Sequence, residues 1–263
     1  MKILAGIVAT WVLLSTVLVA RAAVGAEAPA PSRYEQPKSR TATVYEAGSD
    51  LKRILYKYQR TVTRSGSSLK VVREFSYPDG KLAARETIEY EHDNLVSYDL
   101  EELQINARGI ARVQPPSKSK PKGEISFTYI TGTGSTAKTN TNTEKLAPDT
   151  IVADMMAPFL TAHWNELMKG KTIKCRFIAA TRAETVGFEF VRASESTQDG
   201  KPVVVIKMSP SSLIIAALVD PLCFFIEKGG EHRTLRYRGR TTPKIREGNK
   251  WKDLDAETVF DWD

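Results

Sequence analysis

Residues 53–91 read RILYKYQRTVTRSGSSLKVVREFSYPDGKLAARETIEYE. Ile54, Tyr56, Tyr58 and Val62 recur at even spacing, so they share one face of an extended chain. The run SGSS then turns the chain into LKVVREFSY, and Pro78-Asp79-Gly80 turns it again into KLAARETIEYE. Alternation at period two, interrupted only by turn chemistry, predicts consecutive antiparallel strands with one wet face. His92-Asp93-Asn94 adds a further turn before LVSYDLEEL, where Val96, Tyr98 and Leu100 alternate.

The same texture continues downstream. A Pro/Lys loop at 114–123 leads into EISFTYI, and TIKCRFIAAT, ETVGFEFVRAS, PVVVIKMS, HRTLRYRGR and AETVFDWD all read as strands. Residues 131–145, TGTGSTAKTNTNTEK, hold no large apolar anchor and are expected as a surface loop. Their glycines do not fit the phosphate-binding frame G-x-x-x-x-G-K-[ST]. Ten to twelve strands with regular turns and no βαβ alternation predict a mainly β fold. It would be an antiparallel curved sheet or barrel with one or two short covering helices, at about 149–169 and 210–219.

The first helix, DTIVADMMAPFLTAHWNELMK, is expected to start at Asp149, stop at Gly170 and split or bend at Pro158. Its stripe of Ile151, Met155, Phe159, Trp164 and Leu167 would pack over the sheet. The second follows SPSS, with Ser209 as cap and Pro210 in the first turn, and ends at Asp220-Pro221. Leu213, Ile214, Ile215, Leu218 and Val219 leave it no polar face, so it either fills the core or walls an apolar cavity. It is far shorter than the roughly 20 residues needed to cross a bilayer.

Residues 1–26 carry Lys2, an apolar run from Ile3 to Ala20 and small residues through Ala26, the pattern of a signal peptide. An uncleaved anchor is the alternative, and no transmembrane span is expected after cleavage. The domain plan is a signal at 1–26, an extended segment at 27–50 and one β-rich domain at 51–263. Removing Lys2 and Arg21 lowers the net charge from +7 to +5, spread along the chain. Localisation is expected to be exported, in the periplasm or cell envelope, where nucleic acid is a poor partner. A lipid or other apolar small molecule, or another envelope protein, is the expected partner.

Candidate chemistry is sparse. His92, His163 and His232 lack metal-ligand spacing, and no G-x-S-x-G elbow surrounds a serine, so no catalytic residue, metal or cofactor is assigned and no enzyme is expected. Cys175 and Cys223 read either as a disulfide or as two buried thiols. A Cys223–His232 pair would hold a quiet thiol, given the apolar setting LCFF. Asp99, Glu101 and Glu102 read as a solvated strand face. Arg236, Arg238 and Arg240 alternate with Leu235, Tyr237 and Gly239, giving either a charged strand edge or a cationic rim.

The order APFLTAHWNELMKGKTI, RAETVGFEF, DGKPVVVIKMSPSSLIIAALVDPLCFFIE and LRYRGRTTPKI resembles the exported bacterial proteins of unknown function of the DUF3108 type. The resemblance spans about residues 70–262. It implies an antiparallel curved-sheet or barrel protein of the envelope, loosely similar to periplasmic lipoprotein carriers of the LolA kind. The resulting expectation is a non-enzymatic protein that binds or shields a lipid-like apolar ligand. Leu213, Ile214, Ile215, Leu218, Phe224 and Trp164 would form the wall, with Arg236, Arg238 and Arg240 at the rim. A structural or partner-binding envelope protein with a filled core is the alternative.

Overall fold

The computed structural model describes residues 40–212 and 220–262. The signal segment, Leu213, Ile214, Ile215, Leu218 and most of the expected second helix lie outside the described residues. Eight strands come first: β1 (Arg40–Glu46), β2 (Ile54–Ser65), β3 (Ser68–Ser76), β4 (Leu82–Glu91), β5 (Asn94–Glu102), β6 (Ala107–Gln114), β7 (Glu124–Thr131) and β8 (Lys138–Lys145). Seven follow: β9 (Thr150–Ile151), β10 (Ile173–Ala179), β11 (Glu184–Gln198), β12 (Lys201–Pro210), β13 (Leu222–Glu227), β14 (Thr234–Glu247) and β15 (Lys250–Phe260). All fifteen form one sheet in the order β8-β7-β6-β5-β4-β3-β2-β1-β15-β14-β13-β12-β11-β10-β9. Every pairing is antiparallel except the short parallel contact of β9 with β10.

Turn chemistry sets this meander. His92 and Asp93 both adopt positive φ (48° and 61°) between β4 and β5, and Asp199-Gly200 does the same (48° and 77°) between β11 and β12. Two successive left-handed residues match the twist of the strands they join. The expected alternation holds in the middle of β2, where Tyr56 and Tyr58 are buried while Lys57 and Gln59 face out; at its start Ile54 is exposed and Leu55 packs against the core instead.

The sheet curls until its far ends meet. No backbone ladder joins β8 to β11; side chains make the closure instead. Asn142 Nδ2 donates to the Ala183 carbonyl at 3.0 Å. Glu144 accepts from the Thr185 N–H at 3.1 Å and from its hydroxyl at 2.5 Å. The 3-10 turn Ala180–Arg182 folds inward here against β6 and β7. Gly109 makes room for it, since a Cβ there would sit 2.8 Å from the Ala180 Cβ.

Two helices, α1 (Met156–Ala162) and α2 (Trp164–Met168), plug one end of this curl. Phe159, Leu160 and Leu167 are buried in one cluster with Leu69, Ile88 and Phe127 from the first half of the sheet and Phe190, Ile206 and Phe224 from the second. Burying each large side chain contributes about 1.5–3 kcal/mol. A second, smaller cluster joins Val44, Tyr56, Tyr58, Phe75 and Leu254.

Several expectations change. Residues 131–145 are not a loop: Lys138–Lys145 is an edge strand whose wholly polar side chains face water or the seam, while its backbone bonds to β7. The helical region is shorter than 149–169, because Thr150-Ile151 pairs with β10. Pro158 does not split it. Proline sits in the first turn of α1, where its missing N–H has no intrahelical acceptor to satisfy, and the break falls at His163. Ser209 and Pro210 are strand residues opposite Glu189 and Phe188, not a helix start. The boundary at residue 51 also moves, since β1 within the 27–50 segment belongs to the sheet.

Candidate functional site

Between the helix plug and the smaller cluster lies a cavity of about 510 Å³, within the common range for small-molecule sites. Phe75, Phe177, Phe188, Met208, Leu222 and Phe224 supply apolar wall. Phe224 packs on Tyr237 at 5.1 Å between ring centroids, and Tyr58 packs on Phe75 at the same separation.

A belt of charge runs through this wall, built by strand register. Arg40 on β1 stands opposite Arg60 on β2, Arg60 opposite Arg73 on β3, and Arg73 opposite Glu86 on β4. Like charges directly opposite on neighbouring strands repel, so the row needs acids. Asp154, from the 3-10 turn Ala153–Met155 that precedes α1, reaches in to Arg60 with contacts of 2.6 and 3.1 Å. It also accepts from the Tyr90 hydroxyl at 3.0 Å. Glu86 meets Arg73 on one oxygen and accepts from the Thr242 hydroxyl on the other. Arg73 donates to the Tyr58 hydroxyl at 3.1 Å. Burial alone would lower the Arg73 pKa, but Glu86 and Tyr58 beside it carry it well above the ordinary value.

A second polar knot sits at a bulge in β14 between Thr241 and Lys244. Gln104 imitates a strand there: its Oε1 accepts from the Lys244 N–H at 2.7 Å, and its Nε2 donates to the Lys244 carbonyl at 3.0 Å. The bulge aims Lys244 inward to Glu102 at 2.9 Å and Asp253 at 2.7 Å. The Tyr129 hydroxyl donates to Glu102 at 2.9 Å. Burial opposes the charge on Lys244, yet the two acids raise its pKa.

The structure distributes the sequence-derived candidates unevenly. Phe224 lines the cavity. Trp164 does not: it is buried under the turn between β13 and β14, stacked on His232 at 4.0 Å. The three arginines do not form one rim. Arg240 lines the cavity and pairs with Asp253 and Asp255, Arg236 pairs with Glu257 outside it, and Arg238 is exposed beside Cys223. Tyr237 and Arg240 both line the cavity, and Gly239 between them has a φ of 142°, so the simple alternation is broken before Arg240. Asp99 and Glu101 do face outward toward arginines, but Glu102 is 2% exposed and belongs to the interior knot.

Cys175 and Cys223 are both free, with β11 and β12 standing between their strands. Three strand spacings amount to about 14 Å, beyond disulfide reach. Burial pushes the Cys175 thiol up to about 12, which leaves it protonated and inert. None of His92, His163 and His232 lines the cavity, and His163 instead contacts Glu166 at 3.0 Å. Among the described residues no group of three or more His, Cys, Asp or Glu could hold a metal ion, and no helix is long and apolar enough to cross a membrane.

Sequence reasoning missed Arg60, Arg73, Glu86 and Asp154. The signal was there for three of them, because each occupies the inward register of its strand: Tyr58-x-Arg60, Val71-x-Arg73-x-Phe75 and Ala84-x-Glu86-x-Ile88.

No family model matches the chain, and no curated protein matches it. The likeness to DUF3108-type and LolA-like proteins therefore rests on the order of segments alone. A solved structure described as a beta-barrel-like protein of domain of unknown function DUF1849 from Brucella abortus matches at a TM-score of 0.45 and 10% identity. That alignment covers 84% of this chain and 93% of the other.

Proposed function

We propose that this chain is an exported, non-enzymatic carrier that shields an alkyl-chain ligand inside its curved sheet. The observation that carries the reading is the cavity of about 510 Å³ between the helix plug and the smaller cluster, walled by aromatic and aliphatic side chains. Each buried methylene would contribute about 0.8 kcal/mol, less the cost of ordering the chain. Apart from Arg40, the cations that line the cavity are held in ion pairs, as suits a container more than a reaction centre. Export is supported by the pattern of residues 1–26. The resemblance of the segment order to exported proteins of the DUF3108 type points the same way.

Native mass spectrometry of gently isolated protein tests it, followed by extraction with organic solvent. A discrete added mass, removed by the solvent and identified as an alkyl-chain molecule, is the expected result. A bare chain that also takes up no fluorescent fatty-acid probe would overturn the reading in favour of a structural or partner-binding envelope protein.

A further inference from the structure

Building on the carrier reading, we propose that the ligand is an amphiphile with one anionic oxygen head group, and that Arg40 receives this head. Of the cations lining the cavity, Arg60 pairs with Asp154, Arg73 with Glu86, Arg182 with Glu184, and Arg240 and Lys244 share Asp253. Arg40 has no carboxylate within ion-pair reach among the described residues. Instead its guanidinium lies 3.7 Å from the Trp262 ring centroid and 5.7 Å from that of Phe260.

Ring faces attract a cation without neutralising it. The Trp262 ring is fixed by its own Nε1, which donates to the Thr234 carbonyl at 2.9 Å, and Arg233 lies 5.3 Å from the same ring. Burial lowers the Arg40 pKa; the Tyr58 hydroxyl and the more distant Asp154 carboxylate, already paired with Arg60, act against that lowering, and Arg233 adds to it. A guanidinium so placed gains from any anion that enters. The rest of the arginine row shows the rule of this wall, since each buried arginine next to Arg40 has been given its own acid. Arg40 faces the same cavity as Phe260, Tyr58 and Phe75, so a head held at Arg40 would leave its alkyl chain against an aromatic surface.

The test uses delipidated protein from the full chain, with displacement of a fluorescent fatty-acid probe by oleate, by oleyl phosphate and by oleyl alcohol. Wild-type protein should bind the better of the two anions at least about ten-fold more tightly than the alcohol, the gain of a charge-assisted pair in a partly dry site. The tighter anion tells a carboxylate from a phosphate source. Arg40→Gln should bring that anion to the level of the alcohol measured on the same variant, and Arg40→Lys should restore most of the difference. Equal binding of all three ligands to wild-type protein overturns the head-group assignment and leaves the carrier reading standing. Failure of all three to displace the probe, or of the probe to bind at all, overturns the carrier reading itself. The wild-type comparison needs no variant, so a poorly folded Arg40→Gln does not decide it.

Discussion

Glu144 on β8 holds Thr185 on β11 by both its backbone N–H and its hydroxyl, so one carboxylate does at the seam what a backbone ladder does elsewhere in the sheet. Replacing it leaves a strand-end N–H and a hydroxyl without their acceptor. Glu144→Ala should cost about 1–3 kcal/mol and expose β8 selectively. Hydrogen exchange should show faster amide exchange along Lys138–Lys145 with the rest of the sheet unchanged. Uniform exchange across all strands would mean that the seam is held by other contacts.

Gly109 bears on the same closure from inside. Gly109→Val drives side-chain atoms into Ala180, where even a Cβ would stand 2.8 Å from the Ala180 Cβ. Overpacking of this kind costs about 1–3 kcal/mol. The expected outcome is a lower Tm together with loss of Asn142 and Glu144 seam contacts, read by the same exchange pattern as Glu144→Ala. A variant as stable as wild type would show that the turn Ala180–Arg182 has room to withdraw.

The Arg60–Asp154 pair joins the helix plug to the barrel wall, with side chains 9% and 1% exposed. Asp154→Ala removes the acid that meets both Arg60 and Tyr90 and should cost about 1–3 kcal/mol. The double variant Arg60→Met, Asp154→Leu should be more stable than Asp154→Ala, because both members of the buried pair are replaced together. Chemical denaturation of the three proteins measures the difference. A double variant no more stable than Asp154→Ala would remove the pairing argument.

Buried tyrosines predict an alkaline limit. Burial pushes Tyr56 up to about 12 and raises Tyr58, Tyr90, Tyr98, Tyr129 and Tyr237. Unfolded tyrosines lose their protons near pH 10, while the folded ones keep theirs. The contribution is therefore complete below about pH 10 and is lost as pH climbs through the folded values. On a pH ramp, tyrosinate absorbance should lag and then rise together with loss of the strand circular dichroism signal. Phenols that titrate freely near pH 10 with the fold intact would contradict this.

Much of the fold was legible because period-two alternation and turn chemistry are local. Residues 53–91 show both, and the structure places β2, β3 and β4 there. Lys138–Lys145 was not legible, since an edge strand held by its backbone needs no apolar side chains. The charged belt escaped for a different reason. Arg60 and Glu86 look like surface residues until Asp154 and Thr242 arrive from 94 and 156 residues away. Phe224 was identifiable as wall because it belongs to an apolar strand. Trp164 was misplaced because a helix stripe says which side is buried and not what covers it.

The pairing of β1 with β15 brings Ala42 beside Phe260 in the middle of the sheet, while the outer edges come from mid-chain strands. The chain is thus a ring of hairpins cut at one point. Neighbouring hairpins close short loops and can form early, whereas the β1–β15 contact closes a loop of more than two hundred residues and carries the largest entropic cost. Until β15 is made, β1 keeps one bare edge. A circular permutant that joins the two ends and opens the chain at 146–149, between the edge strands β8 and β9, should turn this slowest contact into a local one without making another long-range pairing, and so fold faster to the same sheet.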